Sequence, residues 1–230
     1  MAVLVSKSDH CLYDLLIRHQ SGELPCEVPI IVSNHADLEP VAKQFGIPFK
    51  HLPMDSSVDK EARRAARLRL VFSRLASHDA LTRRLRDQAA KAAQEAALES
   101  LLAEHNIDLI VMARYMQVLS RPFCERNATR TINIHHSFLP AFEGARPYHR
   151  AHERGVKIIG ATAHYATAEL DAGPIIEQDV TRVTHRDSVA NLIRKGKDLE
   201  RIVLARAVRA HLEDRVIVHS NRAVVFDETS

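Results

Sequence analysis

Residues 107–137 read IDLIVMARYMQVLSRPFCERNATRTINIHHS, and the two ends of this stretch decide the fold. Its first six residues, Ile107 to Met112, are a nearly continuous apolar run, the pattern of a strand buried on both faces. A polar and aromatic segment follows. Thr131 to Ile134 is then a second strand, running into Asn133, His135, His136 and Ser137. Outward from this pair the same alternation recurs. Ala2 to Val5 reads as a first strand, and Cys11, Leu12, Leu15 and Leu16 recur at helical spacing behind it. Val28 to Val32 is another strand. A short helix with Pro40 in its first turn ends near Gly46, and Phe49 to Leu52 is a weak third strand. Repeated strand–helix alternation predicts an α/β protein with a mainly parallel sheet flanked by helices.

The C-terminal third has a different pattern. Lys157 to Tyr165 and Pro174 to Val183 read as two longer strands around a turn at Asp171-Ala172-Gly173. A helix spans about 187–211. Arg215 to His219 and Ala223 to Phe226 flank Ser220-Asn221-Arg222 as a terminal hairpin. No repeat or low-complexity linker divides the chain, so a single domain over residues 1–230 is expected.

Composition narrows the class. Of 230 residues, 46% are apolar, 27% charged and 5% aromatic, with no Trp, so the core is expected to consist of Leu, Ile, Val and Ala. No apolar run reaches the roughly 20 residues of a membrane helix. The N-terminus MAVLVSKSDH has too short an apolar stretch for a signal peptide, which predicts a cytoplasmic protein with no membrane partner. Cys11, Cys26 and Cys124 are odd in number and form no C-x-x-C pair, as expected of reduced thiols.

One segment stands apart. Residues 60–91 carry ten Lys or Arg against three acids, a net charge of +7 that leaves the remainder of the chain at −4. Leu68, Val71, Phe72 and Leu75 form an apolar stripe at i, i+3, i+4 and i+7. The reading is an amphipathic basic helical insertion at about 56–90. Its stripe packs on the parent domain or on a second copy in a homo-oligomer. Aromatic interleaving is absent, which argues against nucleic acid.

The chemistry gathers in one place. On a strand, Asn133 and His135 share a face, and His136 points the other way unless the strand has already ended. An amide donates to a developing oxyanion, and an imidazole moves protons near neutral pH. Asp171 follows in a tight turn, where a carboxylate can orient the imidazole and hold a water; read alone, the His is more often a hydrogen-bonded structural residue and Asp-Ala-Gly-Pro more often a plain turn. His135, His136, His149, His152 and His164 are dense here, but none has H-E-x-x-H spacing, so no metal is expected.

The run NIHHSFLPAFEGARPYHRAHERGVKIIGATAHYATAELDAGPIIEQD (133–179) closely resembles the folate-dependent formyltransferase superfamily. Within it the match is to formyltetrahydrofolate deformylases. His136, Gly144-Ala145-Arg146-Pro147-Tyr148-His149, Ala113-Arg114-Tyr115-Met116-Gln117 and Ser6-Lys7-Ser8-Asp9-His10-Cys11-Leu12 carry that finer match. The resemblance implies a formyltransferase fold, which is Rossmann-like, and a catalytic set of Asn133, His135 and Asp171. It also implies a folate pocket with Met116, Gln117, Val118 and Leu119 on one wall and Thr167, Ala168, Glu169 and Leu170 on the other. The implied activity is hydrolysis of 10-formyltetrahydrofolate to formate and tetrahydrofolate, with the folate as substrate and no cofactor. The loop Ser6-Lys7-Ser8-Asp9-His10 has no glycine, and Asp9 repels a phosphate. A phosphorylated amine acceptor is therefore not expected, and Asp9 is also read as the N-cap of the following helix. Two other readings use the same residues: a formyltransferase with an amine acceptor such as glycinamide ribonucleotide, and a non-catalytic folate-binding protein. The chain departs from the family pattern by starting at the first catalytic-domain strand, without the usual N-terminal ACT domain, and by its longer basic segment.

Overall fold

The computed structural model describes residues 1–53, 76–141 and 146–227. Strands β1 (Ala2–Val5), β2 (Ile30–Ser33), β3 (Phe49–His51), β4 (Ile110–Met112), β5 (Thr131–His135), β6 (Ile158–Tyr165) and β7 (Ile175–Arg182) form one sheet in the order β3-β2-β1-β4-β5-β6-β7. The pairs β3–β2, β2–β1, β1–β4 and β4–β5 are parallel, whereas β5–β6 and β6–β7 are antiparallel. A separate hairpin joins β8 (Val216–His219) to β9 (Arg222–Val225). The mainly parallel α/β sheet expected from the sequence is therefore present.

The helices cover both faces, because alternate residues of each buried strand need apolar partners on opposite sides. Val3, Val5, Val111, Ile132 and Ile134 belong to one core. There they meet Leu12, Leu15 and Leu16 of α1 (His10–Gln20) and Val203, Leu204 and Val208 of α6 (Val189–Leu212). On the other face Ala2, Leu4, Ile110 and Met112 pack with Leu98 and Leu102 of α3 (Ala76–Glu104) and Phe123 of α4 (Arg121–Arg126). Helices α2 (Glu39–Gln44) and α5 (Pro147–Arg154) complete the layers. Cys11 and Cys124 are buried and Cys26 is partly so, all three free. No helix among the described residues is long and apolar enough to cross a membrane.

Three elements differ in detail from the sequence reading. Strand β4 is confined to Ile110–Met112, although Ile107 and Leu109 before it are already buried. Helix α3 runs on to Glu104, well past the expected insertion. Asp9 occupies the N-cap position of α1 but makes no side-chain cap bond, because its helical backbone (φ −96°, ψ −24°) turns the carboxylate away from the first-turn N–H groups. The apolar stripe of Leu68, Val71, Phe72 and Leu75 lies outside the described residues.

Candidate active site

Strand pairing assembles the site. The β4–β5 register sets Met112 beside Asn133, and the antiparallel β5–β6 register sets Asn133 opposite His164 and His135 opposite Thr162. The Asn133 amide nitrogen lies 3.2 Å from His164 Nε2, and His164 Nδ1 lies 2.9 Å from the carbonyl of Tyr165. A carbonyl only accepts, so His164 carries its proton on Nδ1 and Nε2 accepts from the Asn133 amide. This fixes which way the amide faces. Burial holds His164 below its ordinary range, so it stays neutral in that role.

His135 Nδ1 sits 3.1 Å from Asp171 Oδ1, with both side chains buried. Burial pushes the Asp171 carboxyl up, but the His135 hydrogen bond outweighs it, and the net shift is downward. Asp171 is thus a carboxylate at neutral pH. His135 Nε2 is buried and bonded to no protein group, which leaves it available to a reacting partner. Asp171 reaches this position from a left-handed backbone (φ 56°) in the β6–β7 connection. The turn closes so tightly that a Cβ on Gly173 would lie 1.8 Å from the carbonyl oxygen of Tyr165.

The sequence-predicted residues Asn133, His135 and Asp171 are therefore brought together. His164 was counted only among possible metal ligands. The strand alternation that pairs Thr162 and His164 on one face of β6 was the signal available for it. His136 lies one residue past the end of β5, where alternation no longer sets its side. Its ring is 5.1 Å from that of His135 and 6.1 Å from that of Tyr148. Burial, reinforced by Arg114, holds it down at about 4.

The two expected pocket segments follow β4 and β6, which flank β5 and run in opposite directions. Met116, Val118 and Leu170 are exposed, large apolar side chains, whereas Leu119 turns into the core beside Phe123. Thr167 Oγ1 donates to the Glu169 carbonyl and shapes the second segment. The Ser6 hydroxyl donates to Asn34 Oδ1 at 2.6 Å and accepts from the Met116 N–H at 2.9 Å, which ties the loop after β1 to the loop after β4.

Behind His136 lies a second polar cluster that the sequence did not reveal. Glu200 on α6 is 1% exposed. It accepts from Tyr148 Oη at 2.7 Å and from His10 Nε2 at 2.8 Å, with Arg114 Nε 3.5 Å away. Burial pushes Glu200 up, but the His10 bond and the Arg114 charge hold it low. His10, Cys11 and Glu200 are the one set among the described residues whose donor atoms are close enough for a metal. The Arg114 cation already fills that electrostatic role, and three donors leave a tetrahedral ion short.

Residues 1–208 match the family described as Formyl transferase. A formyltetrahydrofolate deformylase of Synechocystis sp. is 56% identical over 226 residues, covering 98% of this chain and 68% of the relative. Among solved structures, a formyltetrahydrofolate deformylase from Pseudomonas syringae pv. tomato superposes with a TM-score of 0.81 at 46% identity, covering 98% of this chain and 65% of that one. A glycinamide ribonucleotide transformylase from Symbiobacterium toebii reaches 0.78 at 29% identity, covering 98% and 93%. The chain spans 62% to 69% of the length of the curated relatives it matches. With its sheet order, its Asn133–His135–Asp171 arrangement and these likenesses, the chain belongs to the formyl transferase family and, within it, to the formyltetrahydrofolate deformylases.

Proposed function

We propose that this protein hydrolyses 10-formyltetrahydrofolate to formate and tetrahydrofolate, with the folate as substrate and no cofactor. The observation that carries this reading is the pairing of His135 with Asp171, which holds Nδ1 and leaves Nε2 open beside an Asn133 amide of fixed orientation. Water held at the His135–Asp171 pair attacks the formyl carbon and gives up a proton to the pair. The Asn133 amide donates to the oxyanion that develops on the formyl oxygen. When the bond from carbon to N10 breaks, His135 returns the proton to N10, and formate leaves with a further proton released to solvent. His164 acts through Asn133, as a positioning residue. The exposed apolar groups Met116, Val118 and Leu170 suit a flat pterin ring, with Gln117, Leu119, Thr167, Ala168 and Glu169 shaping the backbone of the same walls.

The test is incubation with 10-formyltetrahydrofolate alone, assayed for formate, and again with glycinamide ribonucleotide. Formate without acceptor, undiminished by a chelator, is expected. Formyl transfer that requires the amine would instead make the protein a transferase, and tight folate binding without turnover would make it a binding protein.

A further inference from the structure

The order of the sheet reverses between β1 and β4, since the chain winds outward to β2 and β3 on one side and to β4 and β5 on the other. In open α/β sheets ligands enter the crevice above the C-terminal ends of the two strands at this reversal. Here the loops after those two strands supply His10 and Arg114, and both side chains turn onto Glu200. The His10 side chain is 8% exposed, that of Arg114 17% and that of Glu200 1%. Arg114 adopts a left-handed backbone (φ 63°) to do so. From the far side, α5 delivers Tyr148 to the same carboxylate, and its ring is pressed so closely on α6 that a Cβ on Gly196 would lie 2.0 Å from the Tyr148 hydroxyl. The position that a ligand takes in other sheets of this kind is thus filled by the protein's own charges.

This cluster abuts the reaction centre through His136, whose ring lies between those of His135 and Tyr148. The exposed apolar side chains Met116, Val118 and Leu170 are assigned to the folate. Tyr148, its ring 6.1 Å from that of His136, brings the buried charges up to this side of the centre. We propose that Arg114, Glu200, His10 and Tyr148 form a plug that closes the acceptor side, so that only a water-sized nucleophile reaches the formyl carbon. The proposal rests on the hydrolytic reading above and makes these four residues specificity determinants. A buried cluster of opposed charges suits a plug, because an amine that displaces one member strands the charge of another.

With water, an oxygen–carbon bond forms, the bond from carbon to N10 breaks and N10 takes a proton, giving formate and tetrahydrofolate. With an amine, a nitrogen–carbon bond forms in its place. The proton lost by the amine goes to N10, and the products are a formamide and tetrahydrofolate. The ratio of formamide to formate therefore reads the acceptor side directly.

Arg114→Gly opens the plug without backbone strain, because glycine accepts the left-handed conformation. His10→Ala opens it from the β1 side. Each variant is checked for folding by thermal melting and incubated with 10-formyltetrahydrofolate and glycinamide, with products resolved by mass spectrometry. Wild type is expected to give formate with negligible N-formylglycinamide. At least one folded variant is expected to raise the formamide-to-formate ratio on the order of tenfold or more. An unchanged ratio in both folded variants overturns the plug, as does wild type that formylates the amine as readily as the variants. Failure of both variants to fold would assign the cluster to core stability and overturn it too. Wild type that releases no formate, with or without amine, is a separate result: it removes the hydrolytic reading itself.

Discussion

Asn133, His135 and Asp171 differ in what each side chain contributes, and their loss should differ accordingly. Asp171→Asn keeps the shape but replaces an acceptor by an amide, which loses both the charge and control of the His135 tautomer. We expect Asp171→Asn and His135→Ala each to lower kcat by more than ~100-fold with little change in folate affinity. Asn133→Ala should cost on the order of 10²–10³ through the lost oxyanion donor. Steady-state formate release measures all three, and near-wild-type turnover in any variant removes that residue from the mechanism. His136 gives a prediction of another kind. Its folded value of about 4 lies below the ordinary 6.5, because burial and Arg114 oppose its charging. Above about pH 6.5 both folded and unfolded chains hold it neutral, and it has no effect. As pH falls from 6.5 toward 4 the unfolded chain takes up a proton that the folded chain refuses, and stability is lost, by about 3 kcal/mol at most. Urea unfolding at pH 7 and pH 5 should show a larger loss for wild type than for His136→Asn; equal losses would refute this.

Among the elements, the turn between β6 and β7 carries the most chemistry for its length. Gly173 meets a backbone carbonyl rather than a yielding side chain, so Gly173→Ala must shift the turn that aims Asp171 at His135. Overpacking of this kind costs roughly 1–3 kcal/mol. We expect kcat to fall by more than the change in melting temperature would suggest, with bound folate little affected. A folded variant with full kcat would show that the turn tolerates displacement. Helix α3 illustrates a different dependence. Its Ala-rich stretch has high intrinsic helix propensity but little apolar periodicity. Its anchors include Leu98 and Leu102 in the core, Gln94 donating to the Leu52 carbonyl at 2.6 Å, Glu95 accepting from the Ser120 N–H at 2.7 Å and Glu99 paired with Arg126. None of these partners is near in sequence, which is why the helix past residue 91 was not legible in advance.

For the molecule as a whole, we propose a structural or self-association role for residues 60–91. That segment is +7 and the rest of the chain −4, so the segment complements a second copy of its own kind. An apolar stripe of Leu68, Val71, Phe72 and Leu75 is seldom left in water. Replacing Leu68 and Phe72 by Ser should dissociate the oligomer or lower stability, as read by light scattering and thermal melting. Replacing Arg63, Arg64 and Arg67 by Gln should leave turnover nearly unchanged. The reverse pattern would mean that the segment reaches the substrate.

Strand positions, the mainly parallel sheet and the terminal hairpin followed from periodicity, because buried strands announce themselves by apolar runs and a partner is needed only to satisfy them. The motif residues Asn133, His135 and Asp171 were singled out by the family resemblance, since an Asn and a His alternating on a strand and an Asp in a glycine-marked turn are each weak signals alone. What remained hidden depends on contacts between distant segments. His164 orients Asn133 only because β5 and β6 pair in one register out of several possible. Glu200 is one acidic residue among many in a helix until folding sets it under His10, Arg114 and Tyr148, drawn from three other elements. Local pattern is a property of neighbours in the chain, whereas burial of a charge and the partners that compensate it are properties of the packed interior, so the first was set by the chain and the second by its folding.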